Sequence, residues 1–235
     1  MCSCGSGLSA QNVHHGSPAG GGLDCRLLAK TMISHQHKVI FVHIQKTGGT
    51  AIASAFGQPS VYPEKHFSAS ELRLLYGDSA WTTYFKFSFV RNPWDRLVSW
   101  WSNIQDQRPA FEQGIHLNKF QTYVLQHAFT FTDFLENCDE EILDNDGSKW
   151  IFRNQIDYLC DKDGDQMVDF IGRFESLQHD FSIITQETMG KVFNLPIVNQ
   201  SKRSKYSEYY NSKTVDLVGL KYQKDIQTFG YSFSR

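Results

Sequence analysis

Apolar side chains gather in three short stretches of strand character. Residues 39–44, VIFVHI, form an apolar run of strand length. Residues 84–90, YFKFSFV, alternate aromatic and apolar positions and predict a second core strand. Residues 169–174, DFIGRF, predict a third. Elsewhere the spacing is helical. A first helix is predicted over 50–57, through AIASAF, ended by Gly57 and Pro59. A second covers 69–76, with Ser68 or Ser70 as its cap. Asn92 and Pro93 suit a cap and a first turn. The WDRLVSWWSNI that follows puts Trp94, Leu97, Val98 and Trp101 on one apolar face. Residues 105–114 break the pattern. Helices then follow at 120–127 and at 131–137, the latter capped by Thr130 or Thr132. Residues 154–159 lead into a loop. DKDGD at 161–165 reads as a polar turn, because it lacks the glutamate a calcium loop carries at its twelfth position. The last helices are predicted over 175–189, closed by Gly190, and 216–228, stopped by Gly230. Strands alternating with helices predict an α/β domain with a parallel sheet.

Composition narrows the class without naming a function. The chain has 235 residues and is 40% hydrophobic and 14% aromatic, enough for one domain with a substantial core. Its 23 basic and 25 acidic side chains leave a net charge of −2, which argues against non-specific nucleic-acid binding as its main role. No apolar run approaches the ~20 residues that span a bilayer, and no secretory signal is visible. The five cysteines are odd in number and not spaced as a disulfide framework, so a reducing, cytoplasmic setting is expected. Residues 1–36 are expected as a flexible tail and 37–235 as the domain, since 1–22 are rich in Gly, Ser and Ala. CSCGSG resembles the start of a small zinc-binding tail motif, with His14, His15 and Cys25 as further ligands. A tail without a closed set of four ligands is the favoured reading.

The chemistry centres on KVIFVHIQKTGGT, residues 38–50. A strand, a glycine loop and a helix N-terminus form an arrangement that binds phosphate. Gly48 and Gly49 let the backbone turn and present its N–H groups. The helix start through Thr50 and Ala51 adds unpaired donors and partial positive charge. Lys46 adds a full charge, and Thr47 and Thr50 add hydroxyls. The loop departs from the nucleoside-triphosphate pattern, where the lysine follows the last glycine. The expected architecture is therefore P-loop-like: three layers with a central parallel sheet flanked by helices.

A second constellation lies some forty residues on. FSFVRNPWDRLVSWW places Arg91 at a strand end and Ser99 on the next helix. The intervening segment spans roughly 12 Å if wholly helical. A turn at Asn92–Pro93 can fold Arg91 back so that both side chains meet one phosphate, Arg91 as a charged fork and Ser99 as a neutral donor.

Together the two motifs resemble the sulfotransferase superfamily. VHIQKTGGT is similar to its 5′-phosphosulfate loop and FVRNPWDRLVSWW to its 3′-phosphate motif. The resemblance extends to the family 2 carbohydrate sulfotransferases through Glu64-Lys65-His66, residues 154–159, FIGRFESL and DIQTFGYSF, and covers roughly residues 37–233. Gln45 stands where that family commonly has proline, implying a slightly different entry to the loop whose ligand-holding groups all remain. The resemblance implies 3′-phosphoadenosine 5′-phosphosulfate as donor and a hydroxyl or amine as acceptor, with a carbohydrate hydroxyl leading. It implies no metal. The donor's 5′ end would rest on Lys46, Thr47, Gly48, Gly49, Thr50 and Ala51, and its 3′-phosphate on Arg91 and Ser99. Lys202, Arg203 and Lys205 would close over it. Lys46 would neutralise the leaving phosphate. His66 is the implied base, with Glu64 the alternative. An imidazole, with an ordinary pKa of about 6.5, suits that task. His43 is read as packing or support. Two rival readings stay open. A small kinase would need magnesium and a lysine placed otherwise. A non-catalytic relative would bind the nucleotide without transfer.

Overall fold

A computed structural model of the chain describes residues 32–58, 64–138, 151–196 and 203–234. A four-stranded sheet runs β1 (Ile33–Ser34), β2 (Val39–Val42), β3 (Phe85–Val90), β4 (Phe170–Arg173) in that spatial order. β2, β3 and β4 are parallel, in a register that sets Phe41 beside Phe87 and Phe87 beside Phe170. β1 is an antiparallel edge, with Ile33 opposite Ile40. The sheet therefore begins before residue 37, inside the segment expected as tail. Residues 1–31, with the proposed zinc ligands, lie outside the described residues.

All four residues of β2 are buried, as a strand covered on both faces must be. On one face Val39, Phe41, Phe87 and Phe89 pack against α1 (Gly49–Ala55) and α7 (Leu177–Met189) through Ile52, Phe181 and Ile184. On the other, Ile40, Val42 and Ile44 meet α2 (Ala69–Thr83) and α9 (Gln223–Phe229) through Leu72, Trp81 and Phe229. This is the three-layer α/β arrangement. A third cluster contains no strand residue. It joins α3 (Pro93–Gln105), α5 (Lys119–His127), α6 (Phe131–Asn137) and α8 (Ser212–Lys221) around Trp101, Phe134 and Tyr222.

The helix starts follow their caps. The Ser68 hydroxyl accepts the Glu71 N–H, and the Glu71 carboxylate accepts the Ser68 N–H, so Ser68 rather than Ser70 starts α2. Thr130 rather than Thr132 caps α6 in the same way. Asn92 caps α3, with Pro93 in its first turn. Besides the unexpected β1, three helical regions depart from expectation. α2 continues past residue 76 to Thr83, kinking at Gly77, where φ is 82°. Residues 105–114 contain a five-residue helix, α4 (Arg108–Glu112). The final helix is two, α8 and α9, broken at Tyr222, whose buried hydroxyl donates to the Ile151 carbonyl.

Candidate active site

The loop after β2 is shaped from both sides. Lys46 and Gly48 both have positive φ, 66° and 90°. Gly48 caps α1 from the left-handed region, where glycine carries no Cβ penalty. Gly49 is glycine for a different reason: a Cβ there would lie 2.0 Å from Nε2 of His43. The His43 ring is buried and stacked on Phe41 at 5.3 Å, so it forms a floor under the loop. The Ala51 N–H turns back to the Gly48 carbonyl at 3.0 Å, and the Thr47 hydroxyl donates to the Ile44 carbonyl at 2.8 Å. Both donors expected for a ligand are thus engaged in holding the loop. Gly49 and Thr50 open the helix, where no intrahelical acceptor serves their N–H groups.

Arg91 reaches this loop directly. Its Nη1 donates to the Lys46 carbonyl at 3.0 Å, while Nε and Nη2 both reach Asp95 Oδ2, at 2.8 and 2.7 Å. Its guanidinium carbon stands 3.8 Å from the Phe174 ring centroid, which fixes the plane of the fork. Burial holds Arg91 below its ordinary value, and Asp95 opposes that shift. The second oxygen of Asp95 pairs with Nη2 of Arg203 from the basic loop. Arg91, Asp95 and Ser99 recur at four-residue spacing, so Ser99 shares the face of α3 that carries Asp95. A cleft of about 510 Å³ opens beside them, lined by Asp95, Arg203, Ser204, Lys205 and Tyr206 among others. Lys205 is thereby brought to the site, whereas Lys202 lies outside the described residues.

The Lys46 ammonium stands 5.7 Å from the Trp100 ring centroid. Its pKa falls to about 8, mainly through burial, then through repulsion from Arg91 and Lys65. Asp106 acts in the opposite sense. A lysine held this way attracts an anion strongly, since an incoming charge relieves both costs.

Of the two candidate bases, His66 lies beside the His43 floor of the loop and Glu64 lies against α2. Glu64 is buried and accepts the Tyr76 hydroxyl at 3.2 Å. His66 has a positive φ of 74°, unusual for a side chain with a Cβ. Its ring meets that of His43 edge-on at 4.7 Å. One imidazole therefore separates the candidate base from Gly49.

Several supports lie in stretches that carry the family resemblance but were given no individual role there. Arg96, Gln155 and Asp225 are all completely buried behind the site. Asp95 was legible as the residue four beyond Arg91. Glu175 accepts the Asn92 N–H at 2.7 Å and the Tyr231 hydroxyl at 3.1 Å, tying β4's end to the start of α3. Their partners lie too far along the chain for spacing to reveal.

The model of a family described as "Sulfotransferase family" matches residues 29–232, spanning both loops and every strand. No curated protein matches the chain at a significant level.

Proposed function

The chain belongs to the sulfotransferase family, and from that premise we propose that it takes its sulfuryl group from 3′-phosphoadenosine 5′-phosphosulfate and delivers it to a carbohydrate hydroxyl. The observation that carries the donor reading is the contact of Arg91 with the Lys46 carbonyl, which joins two cationic ends in one site. Such a donor bears phosphate at both ends, matching the Lys46 loop on one side and the Arg91, Arg203 and Lys205 set on the other. The glycine cradle over His43 fits close approach of a phosphate to backbone.

The reading of the reaction is in-line displacement. The base, His66 or Glu64, takes the proton of the acceptor hydroxyl. The hydroxyl oxygen bonds to sulfur as the bond from sulfur to the 5′-phosphate oxygen breaks. That oxygen keeps the electron pair, and the Lys46 ammonium stabilises the charge as it develops. A reducing, cytoplasmic setting is part of this reading, and cell fractionation would check it.

Calorimetry without metal tests the donor site. 3′-Phosphoadenosine 5′-phosphate is expected to bind more tightly than 5′-AMP or ATP. Equal affinity for the three, or tighter magnesium-dependent binding of ATP, would overturn the donor reading. Transfer of labelled sulfate to a panel of glycans and simple alcohols tests the acceptor, and labelling of alcohols alone would overturn the carbohydrate assignment.

A further inference from the structure

Arg91 is the last residue before the cap of α3, one position beyond the sheet ladder, and yet its backbone is fully paired. The Gln155 side chain does the pairing. Its Oε1 accepts the Arg91 N–H at 2.9 Å, and its Nε2 donates to the Arg91 carbonyl at 2.8 Å. A single carboxamide thus replaces the neighbouring strand at the point where the 3′ side of the site begins. Asp225 fixes that carboxamide in turn. Its carboxylate accepts from Gln155 Nε2 at 3.1 Å, from the Gln155 N–H at 2.8 Å and from the Ile156 N–H at 3.0 Å.

The same buried region holds the other end. Nε of Arg96 donates to the carbonyl of Gln45 at 3.0 Å, one residue before Lys46, and Nη1 donates to the Arg153 carbonyl at 3.3 Å. Arg96, Gln155 and Asp225 all have 0% exposure. Burial raises the Asp225 pKa, against the Gln155 and Ile156 N–H bonds and the field of Arg96. Buried charges of this kind are seldom the most stabilising way to fill a core. What they supply is position, because each bond has a direction that apolar packing lacks.

We infer that Arg96, Gln155 and Asp225 are positioning residues that set the separation between the two anion-holding ends, making the site selective for a nucleotide phosphorylated on both its 3′ and 5′ sides. Arg96 acts on the 5′ loop through Gln45. Gln155, held by Asp225, acts on the 3′ side through Arg91. This rests on the donor reading proposed above.

The two arms make different predictions, which a merely structural role would not. Gln155→Leu keeps the volume and loses the pairing. It is expected to weaken 3′-phosphoadenosine 5′-phosphate binding about tenfold or more and to weaken 5′-AMP, which meets Arg91 only through the Lys46 carbonyl, by clearly less, so the preference for the 3′-phosphate shrinks. Arg96→Lys is expected to weaken both ligands alike, because both use the 5′ loop. Thermal melts run alongside the calorimetry. Should Gln155→Leu fail to fold, Asp225→Asn carries the same expectation at the 3′ side. Equal loss for both ligands in the 3′-side variant, or no loss for either, would overturn the inference. A wild-type protein with no 3′-phosphate preference would instead overturn the donor reading beneath it.

Discussion

The guanidinium of Arg91 donates to the main-chain carbonyl of Lys46, so the residue that follows β3 holds the loop that follows β2. With that carbonyl turned toward Arg91, the N–H of the same planar peptide, on Thr47, points the other way. Arg91→Ala is expected to remove a charged ligand contact and a loop restraint together. Charge-assisted bonds of this kind contribute about 1.5–3 kcal/mol, so affinity for 3′-phosphoadenosine 5′-phosphate should fall roughly ten- to hundredfold by calorimetry. Arg91→Lys should recover little, because lysine cannot span Asp95 and the carbonyl with a rigid fork. Full affinity in Arg91→Lys would show that charge alone suffices.

The Lys46 pKa of about 8 has two consequences. If the protonated form is the active one, kcat/KM for the donor should fall as pH rises through about 8, and Lys46→Arg should shift that limb out of range. Stability follows the opposite course. The unfolded lysine titrates at 10.5, so between about pH 8 and 10.5 the unfolded chain holds a proton that the folded chain lacks. Stability should therefore rise with pH across that window, and the full cost, about 3 kcal/mol at most, stands below it. Lys46→Met should abolish turnover yet raise the melting temperature of the ligand-free protein at pH 7. A lower melting temperature would contradict the assignment of Lys46 as a strained charge.

Gly49→Ala should collide with the His43 ring. Overpacking typically costs about 1–3 kcal/mol, and the displaced loop should lose donor affinity as well. In a His43→Ala background the same substitution should cost less. A double-mutant cycle that finds the two changes additive would remove His43 from the loop's support.

His66→Ala and Glu64→Ala separate the two candidate bases. The true base should lose about 10²- to 10⁴-fold in kcat with binding of 3′-phosphoadenosine 5′-phosphate unchanged. The other should lose far less, and near-normal turnover in both variants would exclude each. Glu64→Ala should also release the Tyr76 hydroxyl and lower the melting temperature modestly.

Local signals were enough for the elements that carry the loops. The apolar run of β2, the paired glycines and the Asn92–Pro93 start of α3 are each visible within a few residues. Local signals misled where a distant partner decides the outcome. Gly77 reads as a helix end, yet α2 continues because Trp81 is buried against the sheet beyond the kink. Tyr222 reads as mid-helix, yet its hydroxyl is drawn to Ile151 and the helix breaks. β1 is only two residues long and exists through its pairing with β2. At the site, the motifs gave Arg91 and Lys46 their roles, while Gln155 and Asp225 stood in quoted segments without one until folding brought residues 64 and 70 positions apart together.

The depressed Lys46 also makes the ligand-free protein a proton acceptor in waiting. At pH 8 about half of the molecules lack that proton. An arriving dianion favours the charged lysine, so binding should draw protons from solution, up to about half an equivalent at this pH. The heat released on binding should then vary with the ionisation enthalpy of the buffer, and the same titration in triethanolamine and in Tris would count the protons taken up.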